Sequence, residues 1–502
     1  MDIVHYYRNP AILTRILEFL GVPPELLTDL TTCIDLSRPL ADSIELKELL
    51  CAATTEYISA YGHRLLETNH RDHASMKPFG LGWTLDNGLD IHRSIWDREN
   101  ALGVLDVEYF SKSFPGEPYL APKRTFGLME PVYQGILDVF KSYGLAPLAV
   151  ITGQGYNFDV LVSKDKPVLG SLASLGHVEE TLKYDYSHPS PKRGRPVPEE
   201  DARAFDAMGK LFEFLCHRIL TEVSACTPPI PVVVGDVVCG NEKREAISLD
   251  LSLYTNPLHT RSIRCPFSAY SKHMLRGDVL GDIVARRVGS LFSVPRRLRD
   301  AELPLTRVLD IRTSAEKVAR WAKRVATYIP DQPEGMVRLI REYKESRLYA
   351  FHLEYDAGQQ DNASGWFQGY DRFDLSSIPP CVAQPLHCPN PLLLQPTNLR
   401  TIVRALMAIG WHPKHIAGLV YSKYARNFGW DVNFRRYDAN RWANVWVRIY
   451  AGMIVTGVDQ LLDLNCISQQ EKGDAWMGMR YCPAPDCGCN LADYRDMLER
   501  RI

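Results

Sequence analysis

No uncharged apolar run in this sequence approaches the ~18 residues that a membrane-crossing helix needs, so no spanning segment is expected. The opening MDIVHYYRNPAILTRILEF has no cationic stretch followed by an apolar one, which argues against a secretory leader. Charge of one sign is also missing: 58 Lys and Arg stand against 60 Asp and Glu. A uniformly basic coat for nucleic acid is thereby excluded, but a local basic patch is not. No G-x-x-x-x-G-K-[ST] run occurs, so P-loop phosphate chemistry has no carrier. With no leader and no span, the expectation is a soluble cytoplasmic protein with no membrane partner. In that reducing compartment twelve cysteines are buried small residues or metal ligands and not a disulfide framework.

What is present suggests more than one domain over 502 residues. Apolar residues recur at helical spacing in AILTRILEFL and ELKELLCAATTEYISAYGHRLLE, so residues 1–95 are expected to be a helical region. ALGVLDVEYF then reads as a buried strand, MEPVYQGILDVFKSYG as a helix stopped at Gly144, and LAPLAVITGQGYNFDVLV as strand, Gly turn and strand. YSHPSPKRGRPVPEE is a Pro- and charge-rich loop, followed by a helix over roughly 200–225. Strand character returns in PPIPVVVGDVVCG and EAISLDLSLYT. Residues 96–300 therefore read as an α+β core, 301–375 as a helical linking region, and 376–502 as a helical Cys-rich module.

Three elements of the core carry chemistry. Asp106 and Glu108 stand two apart in an apolar strand, which turns both to one face. Paired carboxylates there are costly unless compensated, and a hard divalent cation compensates them; strand-end, solvated acids are the bland alternative. Asp250 is a third acid in an apolar strand-like run. TGQGYNFDVLV puts Gly153 and Gly155 in a turn whose amides suit a phosphate, though by itself the pattern reads first as a plain tight hairpin. Arg264, Ser268 and Lys272 crowd RSIRCPFSAYSKH, a cationic and hydroxyl-bearing stretch that suits a triphosphate.

In order and character these elements resemble the archaeo-eukaryotic primase superfamily, and LDVEYF with LDLSLYT is most similar to its primase-polymerase branch. The resemblance covers roughly residues 100–275. It implies an RRM-like catalytic core in which Asp106, Glu108 and Asp250 hold Mg²⁺ or Mn²⁺ and catalyse nucleotidyl transfer. Thr152, Gly153, Gly155, Asn157, Arg264, Ser268 and Lys272 would then bind the incoming NTP or dNTP. Two positions depart from the pattern: Thr152 replaces the family's serine and keeps its hydroxyl, and Asn157 replaces its histidine, which hydrogen-bonds but carries no charge.

The remaining signal is Cys381, Cys466, Cys482, Cys487 and Cys489, three of them within YCPAPDCGC. Such density points to zinc or to an iron–sulfur cluster. IPPCVAQPL, the helical NLRTIVRALMAIGWHPKHIAGLVYS and the Cys-rich tail resemble the C-terminal domain of the primase large subunit. That resemblance implies a [4Fe–4S] cluster, with Zn²⁺ as the alternative, on four of the five cysteines. Cys381, Cys466, Cys482 and Cys487 are the preferred set. Arg400, Arg404, Lys414, His415, Lys423, Arg426, Arg435 and Arg436 interleave with Trp411, Tyr421, Tyr424 and Trp430, a mixture that suits phosphates and bases or an ordinary helical surface and core. The expected function is template-directed primer synthesis on single-stranded DNA, with a replication helicase or other replication proteins as possible partners. The alternatives are a noncatalytic nucleic-acid or nucleotide binder with a degenerate site at Asn157, and a metal-dependent nuclease on the same acids.

Overall fold

The structure, a computed structural model, describes residues 3–28, 30–62, 74–111, 114–188, 195–225, 227–235, 245–298, 301–388, 396–426, 438–474 and 479–502. The chain divides into two compact units: Met1–Phe212 with Leu258–Arg338, and Glu213–Pro257 with Leu339–Ile502. The fold class is α+β. Among the described residues no helix is long and apolar enough to cross a membrane.

The strands that matter for the site are, in chain order, β1 (Ile58–Tyr61), β2 (Ala74–Met76), β3 (Asp90–Ser94), β4 (Asn100–Ser111), β5 (Leu148–Ile151), β6 (Gly155–Ser163), β7 (Val232–Val234), β8 (Glu245–Asp250), β9 (Ser262–Arg264), β10 (Ala269–Tyr270), β11 (Leu291–Phe292) and β12 (Val294–Pro295).

In the first unit β6 pairs antiparallel with β4 on one side and β5 on the other, and β12 extends the sheet beyond β5. Period-two alternation gives these strands two faces. One face carries Tyr156 and Phe158, which pack on Phe126, Tyr133 and Phe140 of the helix Pro122–Ser142. Aromatics of this size each stabilise by roughly 1.5–3 kcal/mol on burial, so this face is the core. That helix stops where Gly144 adopts φ +68, the left-handed turn that glycine tolerates best. On the same face a Cβ at Gly103 would meet Phe212 and Met208 of the helix Glu199–Ala225.

A second antiparallel sheet runs β2-β1-β3-β9. This corrects the expectation of an all-helical region up to residue 95. The helix Ile44–Cys51 ends before TTEYISAY, and β1 follows with three of its four residues buried. Helix periodicity over ELKELLCAATTEYISAYG is a weak preference; β-branched and aromatic residues with cross-strand partners on both sides override it.

The second unit is mainly helical around Ala439–Val455, in which every residue from Asn440 to Ile454 is buried. A helix buried on all sides sits at the centre of its layer, and Arg347–Ala357, Pro396–Ala408 and Pro413–Tyr424 surround it. The parallel pair β7 and β8 also belongs to this unit. The unit draws on residues 213–257 as well as the C-terminal part, so its borders differ from the expected breaks at 300 and 375.

Candidate functional site

Asp106 and Glu108 lie mid-strand in β4, half-buried, between the buried neighbours Leu105, Val107 and Tyr109. Register sets Asp106 opposite Asn157 and Glu108 opposite Gly155. The two acids and Asn157 therefore share the sheet face away from the aromatic core. The Lys272 ammonium faces them. Burial works against its charge, but Glu108, then Tyr119 and Asp106, outweigh that and hold its pKa above the ordinary lysine value. Two half-exposed carboxylates and an ammonium thus share one face of the sheet.

The Gly turn is a tight hairpin. Thr152 N donates to Gly155 O at 2.9 Å. A Cβ on Gly153 would fall 2.0 Å from the Tyr270 ring, and one on Gly155 would fall 1.8 Å from Val107 O. Both glycines are thus required by close approach of ring and backbone. Gly155→Ala is expected to cost roughly 1–3 kcal/mol, because rigid backbone and not a flexible side-chain end must give way. Urea unfolding checks it, and an unchanged midpoint would mean the hairpin tolerates the shift. Tyr119 and Tyr270 flank the turn, with their hydroxyls 2.9 Å apart and Tyr119 donating to Gln154 Oε1 at 3.3 Å.

The basic segment divides by role. Arg264 Nη1 donates to Asp90 Oδ2 at 2.7 Å and to Ala269 O at 3.0 Å, and its guanidinium covers the Tyr270 ring at 4.4 Å. Ser268 is fully buried; its hydroxyl donates to Ala269 O and accepts from Ile91 N at 2.7 Å. Both are engaged in holding the segment. Lys272 is the member of this group that faces the carboxylates.

Asp90 escaped sequence reasoning. It is fully buried, accepts from Arg264, and accepts from Ser271 N at 2.9 Å. It thereby fixes the residue just before Lys272. Burial raises its pKa, and Arg264 pulls the other way. An acid at the start of a short strand carries no sequence signal that separates it from a solvated one.

Asp159 was missed as well. It follows Asn157 on the same face of β6, is 1% exposed, and leaves Oδ1 without a hydrogen-bond partner. Burial pushes its pKa from 3.8 up to about 8, against a smaller opposing pull from Arg93. Between those values the folded chain holds a proton that the unfolded chain has released. Stability therefore falls as pH rises through this window, by up to about 1.4 kcal/mol per pH unit. Asp159→Asn removes that titration. Urea midpoints at about pH 5.5 and 8.5 are expected to separate further in the wild type than in the variant; an equal separation would mean that Asp159 is already ionised at the lower pH.

Asp250 belongs to the second unit and ends β8. Its carboxylate accepts from Ser252 N and Ser252 Oγ, both at 2.8 Å, which turns the chain into the 3₁₀ segment Ser252–Thr255. The expected strand through LDLSLYT thus stops at Asp250, because a short acid captures the following amide more readily than the ladder continues.

In the second unit Cys381 lies in the helix Pro380–His387 and Cys466 opens Cys466–Glu471. Burial pushes the Cys381 thiol up to about 12, and Cys482, Cys466 and Cys487 add to the shift as neighbouring negative groups. Cys482 responds to burial first, then to Cys487 and Cys466. Cys489 is raised by burial, Cys487 and Cys466. Leu491 N donates to Cys466 Sγ at 3.3 Å. All five expected cysteines are therefore electrostatic neighbours. Yet among the described residues no three His, Cys, Asp or Glu side chains are gathered at metal-binding geometry. Proximity and coordination are different statements: the thiols are near one another but not closed around a point.

The interleaved basic and aromatic residues of this unit are largely paired internally. Arg400 and Arg404 bind Asp459 and Asp463. Lys423 and Arg426 bind Asp371. Lys414 lies over Tyr355 at 4.7 Å, and His415 Nδ1 is 3.2 Å from Tyr370 Oη. Trp411 meets Phe373, Tyr421 meets Trp366, and Tyr424 meets Trp442. Trp430, Arg435 and Arg436 lie outside the described residues, as do 189–194 of the Pro-rich loop.

No family model, no curated protein and no solved structure matches this chain.

Proposed function

We propose that the chain is a primase-polymerase, a nucleotidyltransferase that builds a strand on a single-stranded DNA template from NTPs or dNTPs. The observation that carries the reading is the shared face of Asp106 and Glu108, with Asn157 across the strand and Lys272 opposite. Mg²⁺ and Mn²⁺ fit such a pair, since Mg²⁺ commonly takes one or two carboxylates and fills its remaining positions with water and substrate phosphate. A divalent ion there would neutralise phosphate charge and favour ionisation of the attacking hydroxyl. Asp250 as a further ligand rests on the sequence resemblance.

In the reaction a 3′-hydroxyl attacks the α-phosphate and pyrophosphate leaves. Asp106 and Glu108 orient the reacting groups. Lys272 binds the triphosphate as a point charge, and the Asn157 amide donates a hydrogen bond to it. Asp90 and Arg264 act as positioning residues through Ser271.

The mutual electrostatic effects of Cys381, Cys466, Cys482 and Cys487 support one metal centre on these four, [4Fe–4S] first and Zn²⁺ second. Thiols must lose their protons to bind a metal, and those of Cys381 and Cys482 are held above the ordinary value, so metal binding would be coupled to pH and to folding of the unit. Anaerobic purification with metal analysis separates the two.

The test is unprimed synthesis on single-stranded DNA with labelled nucleotides and Mg²⁺ or Mn²⁺. New oligonucleotides support the reading in full, and extension without initiation restricts it to a polymerase. Strand binding with no product of either kind favours the noncatalytic binder, with Asn157 as the reason. Shortened template strands favour a nuclease.

A further inference from the structure

The thiols gathered in the second unit differ in how far solvent reaches them. Cys381 and Cys482 are buried, Cys466 and Cys487 are half-buried, and Cys489 is exposed. Cys482, Cys466 and Cys487 act on Cys381, and Cys489 responds to Cys487 and Cys466. The first four are the set proposed for the metal centre. Cys489 stands at the solvent edge of that set with no role of its own.

Cys487, Gly488 and Cys489 form one turn. Gly488 takes φ +75, a conformation that strains any residue with a side chain. The turn brings Cys487 Sγ to 3.9 Å from Cys489 O, and Cys466 Sγ lies 3.6 Å from the same oxygen. The Cys487 and Cys489 thiols are close enough to share a hydrogen bond. Nothing lies within 4 Å of where a Cβ on Gly488 would sit, so the turn has room to tighten. A disulfide needs α-carbons no more than about 7 Å apart, which residues two apart satisfy when the chain turns between them.

We infer that Cys487 and Cys489 form a reversible disulfide by exchange with a low-molecular-weight disulfide, and that this oxidation withdraws Cys487 from the metal centre. The second half rests on the metal centre proposed above; the first half does not. With glutathione disulfide as oxidant, the exposed Cys489 sulfur, as thiolate, attacks one glutathione sulfur. The glutathione S–S bond breaks, one glutathione leaves as thiolate, and a mixed disulfide remains on Cys489. The Cys487 sulfur then attacks the Cys489 sulfur and displaces the second glutathione. Two protein thiols lose two electrons, one glutathione disulfide becomes two glutathiones, and those take up the two protons. The Cys487 electron pair that would bind a metal now makes the S–S bond. So short a loop departs from relaxed disulfide geometry, which places the bond among the readily reduced, regulatory ones. Burial, then Cys487 and Cys466, raise the Cys489 thiol above its ordinary value. Exchange is therefore slow at neutral pH, and its extent at equilibrium is what reports on the pair.

The test equilibrates the full chain, purified with its metal, in glutathione buffers of increasing oxidised fraction, then alkylates and digests it with trypsin. Cleavage after Arg480 and Arg495 leaves residues 481–495 as one peptide that holds Cys482, Cys487 and Cys489. The expected product has Cys482 alkylated, the other two joined, and no backbone fragments between Cys487 and Cys489. Dithiothreitol should restore it. Metal release, read with a chromogenic chelator, should rise in step with the bond and be about tenfold or more lower in Cys489→Ser. That variant should hold as much metal as the wild type. Cys487 and Cys489 alkylated in every buffer would overturn the inference, as would Cys489 joined to Cys466 or Cys482. Less metal in Cys489→Ser would overturn it too, because Cys489 would then be a ligand. A bond that forms while all metal is retained overturns the withdrawal of Cys487. A bond that forms in a chain purified without metal upholds the dithiol and overturns the metal centre itself.

Discussion

Asp106→Ala, Glu108→Ala should lower primer synthesis by about 10³-fold or more while leaving the fold intact. That ratio corresponds to roughly 4 kcal/mol of lost transition-state stabilisation, a reasonable loss for deleting both carboxylates that hold a catalytic divalent ion. The fold should survive because both acids are half-exposed and on the face away from the aromatic core. Single-turnover synthesis and a melting curve on the same preparation read both effects. Lost activity with lost stability would make the acids structural; unaltered activity would sink the proposed site. Asp90→Asn offers the contrast. It keeps shape but weakens the hold on Arg264 and Ser271, so it should raise KM for the nucleotide more than it lowers kcat, because it acts only by positioning Lys272.

Asp459→Ala should destabilise the second unit by about 3–5 kcal/mol, the usual consequence of stripping one partner from a buried ion pair. Asp459 and Arg404 are each 1% exposed in their side chains, with Arg404 Nε donating to Asp459 Oδ2 at 2.8 Å. Among the described residues, the carboxylate that then remains for Arg404 is the more exposed Asp463. Glu499→Ala, at the exposed Arg495 pair, should cost less than about 1 kcal/mol. Burial alone would raise the pKa of Asp459 and Asp463, but Arg400 and Arg404 overcome it and hold both far below the carboxylate range. Carboxyls lowered in this way stabilise the fold above their unfolded pKa near 3.8 and lose that effect as pH falls below it. The wild type is therefore expected to lose stability below about pH 4 more steeply than Asp459→Ala. Parallel acid unfolding curves would show that Asp459 is not the group responsible.

How much could be read in advance varied with the range of the interaction involved. The strand through LDVEYF, the helix ending at Gly144 and the Gly hairpin were legible because each rests on local periodicity or on one residue's backbone preference. The strands at Ile58–Tyr61 and Asp90–Ser94 were not, because their stability comes from partners distant in the chain. The same limit governed the basic residues. RSIRCPFSAYSK reads as one cationic patch, but Asp90 takes Arg264, burial takes Ser268, and Lys272 is left facing the acids. Arg400, Arg404, Lys423 and Arg426 read equally as a phosphate-binding surface or as an ordinary helical one, and aspartates from other segments pair with them.

By itself the sequence determined which residues could do chemistry: a same-face carboxylate pair, glycines that only a tight turn requires, and a concentration of thiols. These follow from side-chain type and from spacings of one or two residues, which the backbone converts directly into direction. Tertiary structure alone decided which charges are already paired and which are left over. It paired Arg264 with Asp90 and Arg404 with Asp459, and buried Asp159 deeply enough to push its pKa up to about 8. Compensation of a charge depends on distance and dielectric, and neither exists until segments far apart in the chain have packed together.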